Sequence, residues 1–170
     1  MKSNIILIGM AGCGKSTVGV LAAKKLGYDF LDTDLVLQRQ EGKLLQQIID
    51  GDGLDYFKSA EERALLGVNV SSSIIATGGS AVYYDAAMRH LKESGICVWL
   101  SLPFEVIEGR ITNLATRGIA IAPGLTLRDV YDEREPLYEK YADVRIECVD
   151  SAEENAVKLI DSVSDILRRS

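Results

Sequence analysis

The chain has 170 residues, of which 47% are hydrophobic and 26% charged, and its formal net charge is −6. That length suits a single domain over residues 1–170, able to bury roughly two-thirds of its unfolded surface, and the composition excludes a disordered chain. The negative balance speaks against nucleic acid or an anionic membrane as partner, because those surfaces require clustered Lys and Arg.

Asn4 to Ile8 reads as a first buried strand. It leads into GMAGCGKSTVG (9–19), where Gly9, Gly14, Lys15 and Ser16 satisfy G-x-x-x-x-G-K-[ST] between a strand and a helix. Glycines there let successive backbone N–H groups curl round a phosphate at the positive end of a helix. The expected cradle is Gly12, Cys13, Gly14, Lys15, Ser16 and Thr17, with Lys15 reaching the β and γ phosphates and Ser16 on Mg²⁺. Cys13 itself occupies a free position, where the side chain matters little. The helix from Lys15 to Leu26 carries Val18, Leu21, Ala22 and Leu26 on one face and stops at Gly27.

Tyr28 to Leu31 is the second strand, and FLDTDL (30–35) sets Asp32 and Asp34 at its end. In extended backbone both carboxylates leave on the same side, Asp32 suiting the metal shell and Asp34 a base; alternatively they open the next helix. Ser73 to Ala76 is the third strand, followed by Gly78-Gly79, which is either a turn or a place of close approach to a ligand. His90 reads as solvated, and Trp99, inside the fourth strand from Ile96 to Leu100, as core.

ATRGIAIAPGLT (115–126) breaks the periodicity and predicts a loop long enough to act as a lid, at about 112–126. Arg134, beside Asp132 and Glu133, is either a surface ion pair or a carboxylate clamp. Val144 to Cys148 is the fifth strand, and Ser151 with Glu154 has capping-box spacing for the last helix. Strands alternating with helices predict an α/β fold, a parallel sheet covered on both faces, with ligands beyond the carboxyl ends of the strands. Cys13, Cys97 and Cys148 have no metal-like spacing, no run approaches a membrane span, and no secretory leader pattern opens the chain, so a cytoplasmic protein is expected.

A GTPase would need a base-reading Asn-Lys-x-Asp, which is missing, so the chemistry left is that of a small-molecule kinase using ATP and Mg²⁺. The sequence resembles the shikimate kinase family over most of its length. The resemblance rests on the glycine loop, DTD (32–34), DYFKSAEE (55–62), ATGGSAV (76–82), the lid with Arg117, and REPLYEKYAD (134–143). It implies a five-stranded parallel sheet in the order 2-3-1-4-5 and transfer of the ATP γ-phosphoryl group to a hydroxyl of shikimate, a small anionic hydroxy acid. By the same resemblance Lys15, Asp34 and Arg117 are catalytic, and Asp34 also contacts the substrate hydroxyls. Lys58 and Arg134 grip the substrate carboxylate, Gly78, Gly79 and Ser80 line its pocket, and Arg110 stacks on adenine. A monomer is expected. Three positions depart from the family: Lys58 stands for an arginine, Ser80 for a glycine and Gly118 for a proline. They leave open another small hydroxy acid as acceptor, or a catalytically weak ATP-binding homologue.

Overall fold

The computed structural model describes residues 2–111, 119 and 121–169. Its strands are β1 (Asn4–Ile8), β2 (Asp29–Asp32), β3 (Ser73–Ala76), β4 (Gly95–Ser101) and β5 (Val144–Glu147), all parallel in one sheet ordered β2-β3-β1-β4-β5. The expected order is the observed one. β1 sits at the centre because every residue of it is suited to burial: Ile5, Ile6, Leu7 and Ile8 are fully buried. Asn4, the polar member, is satisfied, donating to the Val70 carbonyl at 2.7 Å and accepting from the Ser73 N–H at 3.1 Å.

Between the strands run α1 (Lys15–Leu26), α2 (Thr33–Glu41), α3 (Leu45–Asp52), α4 (Leu54–Leu66), α5 (Asp85–Ser94), α6 (Phe104–Arg110), α7 (Leu127–Tyr141) and α8 (Ala152–Arg169), with a 3₁₀ turn at Ala81–Tyr83. Local signals set the ends of two of them. Gly27 closes α1 in the left-handed region at φ 69°, and Ser151 and Glu154 exchange hydrogen bonds across the start of α8. β2 departs slightly from expectation, beginning and ending one residue later, because Asp32 pairs in register with Ala76 of β3.

The chain leaves β1 first toward β2 and β3 on one side, then toward β4 and β5 on the other. Such a reversal opens a crevice above the carboxyl ends of β1 and β3, where the segments after both strands meet. A second apolar cluster, built from Leu37, Leu45, Ile48, Phe57, Ala60 and Ala64, lies under α2, α3 and α4. Each of these short helices offers only a few apolar residues, so the cluster exists only once the three pack together.

Gly9, at the end of β1, has φ +141°, and a Cβ there would lie 2.5 Å from the Leu100 carbonyl oxygen in the fixed backbone of β4. Gly9→Ala is therefore expected to destabilise the protein by about 2–4 kcal/mol, read from the midpoint of a urea titration. An unchanged midpoint would show that loop and strand can part at no cost.

Candidate active site

The glycine loop between β1 and α1 turns through Gly12 (φ +79°) and Gly14 (φ +96°). Gly14 is the N-cap of α1 and gives it no side-chain cap, so the first N–H groups of the helix are left to face a ligand. They border a cavity of about 600 Å³ lined by Gly12, Gly14, Lys15, Ser16 and Thr17, by Asp32 and Asp34, and by Thr77, Gly78 and Gly79. Arg110, at the end of α6, reaches over this cavity and donates to the Gly12 carbonyl at 3.1 Å. Lys15 is buried and donates to the carbonyls of Gly9 (2.6 Å) and Met10 (2.8 Å).

Cys13 needs correction. Its side chain does not line the cavity but packs beneath the loop, 2% exposed, with its sulfur 3.7 Å from the Lys15 ammonium and close against Gly9. A loop side chain that turns away from the cavity still has a core to fill, so its identity is constrained by packing. His90 is also not free: its Nε2 lies 2.7 Å from the Val68 carbonyl, joining α5 to the segment that follows α4.

The acidic pair reaches the cavity by a route other than strand period. β2 ends at Asp32, and Asp34 lies in the first turn of α2. Asp32 does two jobs at once: Oδ1 accepts from the Asp34 N–H at 3.0 Å and caps the helix, while Oδ2 accepts from the Ser16 hydroxyl at 2.7 Å. Asp34 has its pKa pushed up to about 6, first by burial and then by the negative charges of Asp32 and Glu61, with Lys15 opposing.

Next to this cavity lies a second, of about 250 Å³, bordered by Lys58 from α4, by Ser80, Tyr83 and Tyr84, and by Arg134 from α7. Leu54, Val130 and Glu133 also border it, as do Ala122 and Leu125 from the expected lid segment. Arg117 and Gly118 lie outside the described residues. Arg134 is no surface ion pair: it is 3% exposed, its Nε donates to the Tyr83 hydroxyl at 3.3 Å, and its guanidinium sits 5.3 Å from the centre of that ring. Lys58 is exposed at the mouth.

Glu61 is the functional candidate that sequence reasoning missed. It is 4% exposed on α4, with the Ser80 hydroxyl 2.7 Å from both of its oxygens and the Tyr84 hydroxyl 2.8 Å from Oε2. Burial raises its pKa, and the two hydroxyl bonds and the Arg134 charge resist that rise. A signal for it existed. Phe57, Ala60, Ala64 and Leu65 mark the buried face of α4, and Glu61 falls in phase with them while Glu62 does not.

The glycine pair is pressed by the protein itself. A Cβ on Gly78 would lie 2.6 Å from Glu61 Oε1 and 3.0 Å from Asp34 Oδ1; one on Gly79 would lie 2.8 Å from Arg134 Nη1 and 3.3 Å from the Ala11 nitrogen. Gly78→Ala is thus expected to displace both carboxylates and cut turnover at least ten-fold, with a thermal unfolding midpoint only a few degrees lower. Normal turnover would mean that the carboxylates do not need their present positions.

A family model for shikimate kinase matches residues 11–164, from inside the glycine loop to the middle of α8. The chain belongs to the shikimate kinase family. The shikimate kinase of Thermodesulfovibrio yellowstonii is 36% identical over 164 residues, covering 92% of this chain and 92% of its own. The structure of shikimate kinase from Acinetobacter baumannii in complex with shikimate superposes with a TM-score of 0.86 at 31% identity, covering 100% of this chain and 96% of that one. That of the Aquifex aeolicus enzyme superposes with a TM-score of 0.83 at 30% identity, covering 96% and 98%. Family membership accounts for the parallel sheet and the glycine loop together. Among the described residues no helix is long and apolar enough to cross a membrane, and no three His, Cys, Asp or Glu side chains cluster as metal ligands.

Proposed function

We propose that the protein transfers the γ-phosphoryl group of ATP to a hydroxyl group of shikimate. The observation that carries the acceptor side is Arg134, a buried guanidinium facing a small cavity that adjoins the phosphate loop across residues 78–80. A planar fork of N–H donors at that place suits one carboxylate. Lys58 adds a second positive charge at the mouth.

In this reading the amides of the loop and Lys15 hold the β and γ phosphates, and Arg110 lies over the base. Asp34 borders the same cavity, accepts the hydroxyl proton as the oxygen attacks phosphorus, and the bond from the γ-phosphorus to the β-bridging oxygen breaks to release ADP. Ser16 and Asp32 fit Mg²⁺: one hydroxyl and one carboxylate oxygen lie side by side, and this ion keeps several waters and substrate phosphates for its other positions. When bound, it neutralises charge between the β and γ phosphates. Arg117 is assigned by resemblance to the lid, reaching phosphates and substrate. A single domain, a monomer and a cytoplasmic site belong to the same reading; three buried free cysteines agree with a reducing compartment.

The test is ADP release with Mg²⁺ and a panel of small hydroxy acids. Shikimate is expected to give the highest kcat/KM. Acceptor-independent ADP release alone, or preference for another acid, would overturn the proposal.

A further inference from the structure

Two opposite charges are buried close to one another without meeting: Arg134 borders the acceptor cavity, and Glu61 lies behind Ser80 and Tyr84 of its wall. Glu61 and Arg134 are 4% and 3% exposed, and in such an interior opposite charges attract strongly. Yet among the described residues no ion pair within 4.0 Å joins them, and Glu61 takes its hydrogen bonds from two hydroxyls. We propose that Ser80, together with Tyr84, is a positioning residue that keeps the Glu61 carboxylate off Arg134 and so leaves the guanidinium free for the acceptor's carboxylate. This rests on the acceptor assignment above.

Residues 78–84 form the partition. Gly78 lies against Glu61 and Gly79 against Arg134, each so closely that a Cβ would stand 2.6 Å and 2.8 Å from the respective charge. The two neighbouring tyrosines divide in the same way: Tyr83 takes the Arg134 Nε at 3.3 Å, and Tyr84 donates to Glu61 at 2.8 Å. Ser80 is the only residue of the 78–80 run that carries a side chain, and its hydroxyl sits 2.7 Å from either oxygen of Glu61. A hydroxyl has one proton, so with Tyr84 engaged at Oε2, Ser80 is, among the described residues, the donor available to Oε1. Remove it and Oε1 is a buried carboxylate oxygen without a partner, a costly state. Two cations border the cavity, and of these Lys58 is exposed while Arg134 is buried and is the one whose charge acts on Glu61. A carboxylate of the protein would then occupy the site intended for a carboxylate of the substrate.

Ser80→Ala is expected to raise the KM for shikimate about ten-fold, with a much smaller change in kcat and in the KM for ATP. Ser80→Thr, which keeps the hydroxyl, is expected to retain most of the affinity. In a Glu61→Gln background the effect of Ser80→Ala should shrink to about two-fold, because a neutral amide competes poorly for the guanidinium. A purely structural role for Ser80 would lower the unfolding midpoint without that split and without suppression by Glu61→Gln, and would overturn the proposal. A crystal structure of Ser80→Ala supplies a readout free of turnover: Glu61 is expected within 4 Å of Arg134, and an unchanged separation would refute the partition. Should the unaltered protein fail to use shikimate, the acceptor assignment falls, and that crystallographic separation alone decides whether Ser80 keeps the charges apart.

Discussion

Replacing Asp34 by Asn is expected to cut phosphoryl transfer by about 10²–10⁴-fold and, in protein free of nucleotide and divalent cation, to raise thermal stability at neutral pH. The two effects share one cause. Asp34 is held beside Asp32 and Glu61 in a partly buried place, and its pKa moves from 3.8 to about 6. A carboxyl group raised in the folded state binds its proton more tightly there than in the unfolded chain. Above pH 6, where both states are ionised, the fold therefore bears the cost of the charge; below pH 4, where both are protonated, the cost is gone. The Asn variant avoids it, which amounts to about 3 kcal/mol, or roughly 6–12 °C in the unfolding midpoint for a chain of this size. Differential scanning calorimetry at pH 7.5 and at pH 4 would check the sign: a gain at the higher pH that disappears at the lower. A stability loss at pH 7.5 would mean that the Asp34 charge is well solvated or paired, and the case for it as a base held in readiness would collapse.

Lys15→Ala is expected to reduce turnover by about 10²–10³-fold and, unlike the Asn variant, to lower stability. The buried ammonium donates to two loop carbonyls, those of Gly9 and Met10. Without it both oxygens lose a charged donor, at a cost of about 1–3 kcal/mol. Its positive charge also holds down the pKa of Asp34, so the variant is expected to make that carboxyl harder to ionise. Single-turnover kinetics with saturating acceptor, alongside the same calorimetry, separate the two roles. A Lys15→Ala protein as stable as the parent would show that the ammonium does not brace the loop.

The strongest sequence signals were those confined to a few neighbouring residues. The β-branched run before the glycine loop, the spacing of Gly14, Lys15 and Ser16, the left-handed Gly27 and the Ser151–Glu154 box each depend on groups within a turn or two of one another, and each lies in the structure where the sequence set it. The Asp32–Asp34 pair was readable as a pair, but its geometry was not. Asp32 both ends the strand, paired with Ala76, and caps α2, and where strand gives way to helix depends on how far β2 stays paired with β3, a long-range matter. The acidic residues of α4 posed the same difficulty: Glu61 and Glu62 are chemically alike, and only the packing of the helix buries one and leaves the other at the edge.

The sequence by itself determined the glycine loop, the alternation of strands and helices, and the family, because hydrogen bonding and side-chain periodicity within one element are near-neighbour effects. Only the tertiary structure decided that Arg134 is buried, that Gly78 and Gly79 are squeezed between opposite charges, and that Cys13 belongs to the core. Burial of a charge is a property of the faces that meet over it, here from α2, α4, α7 and the segment after β3. Elements so distant along the chain come together only when the whole sheet is covered.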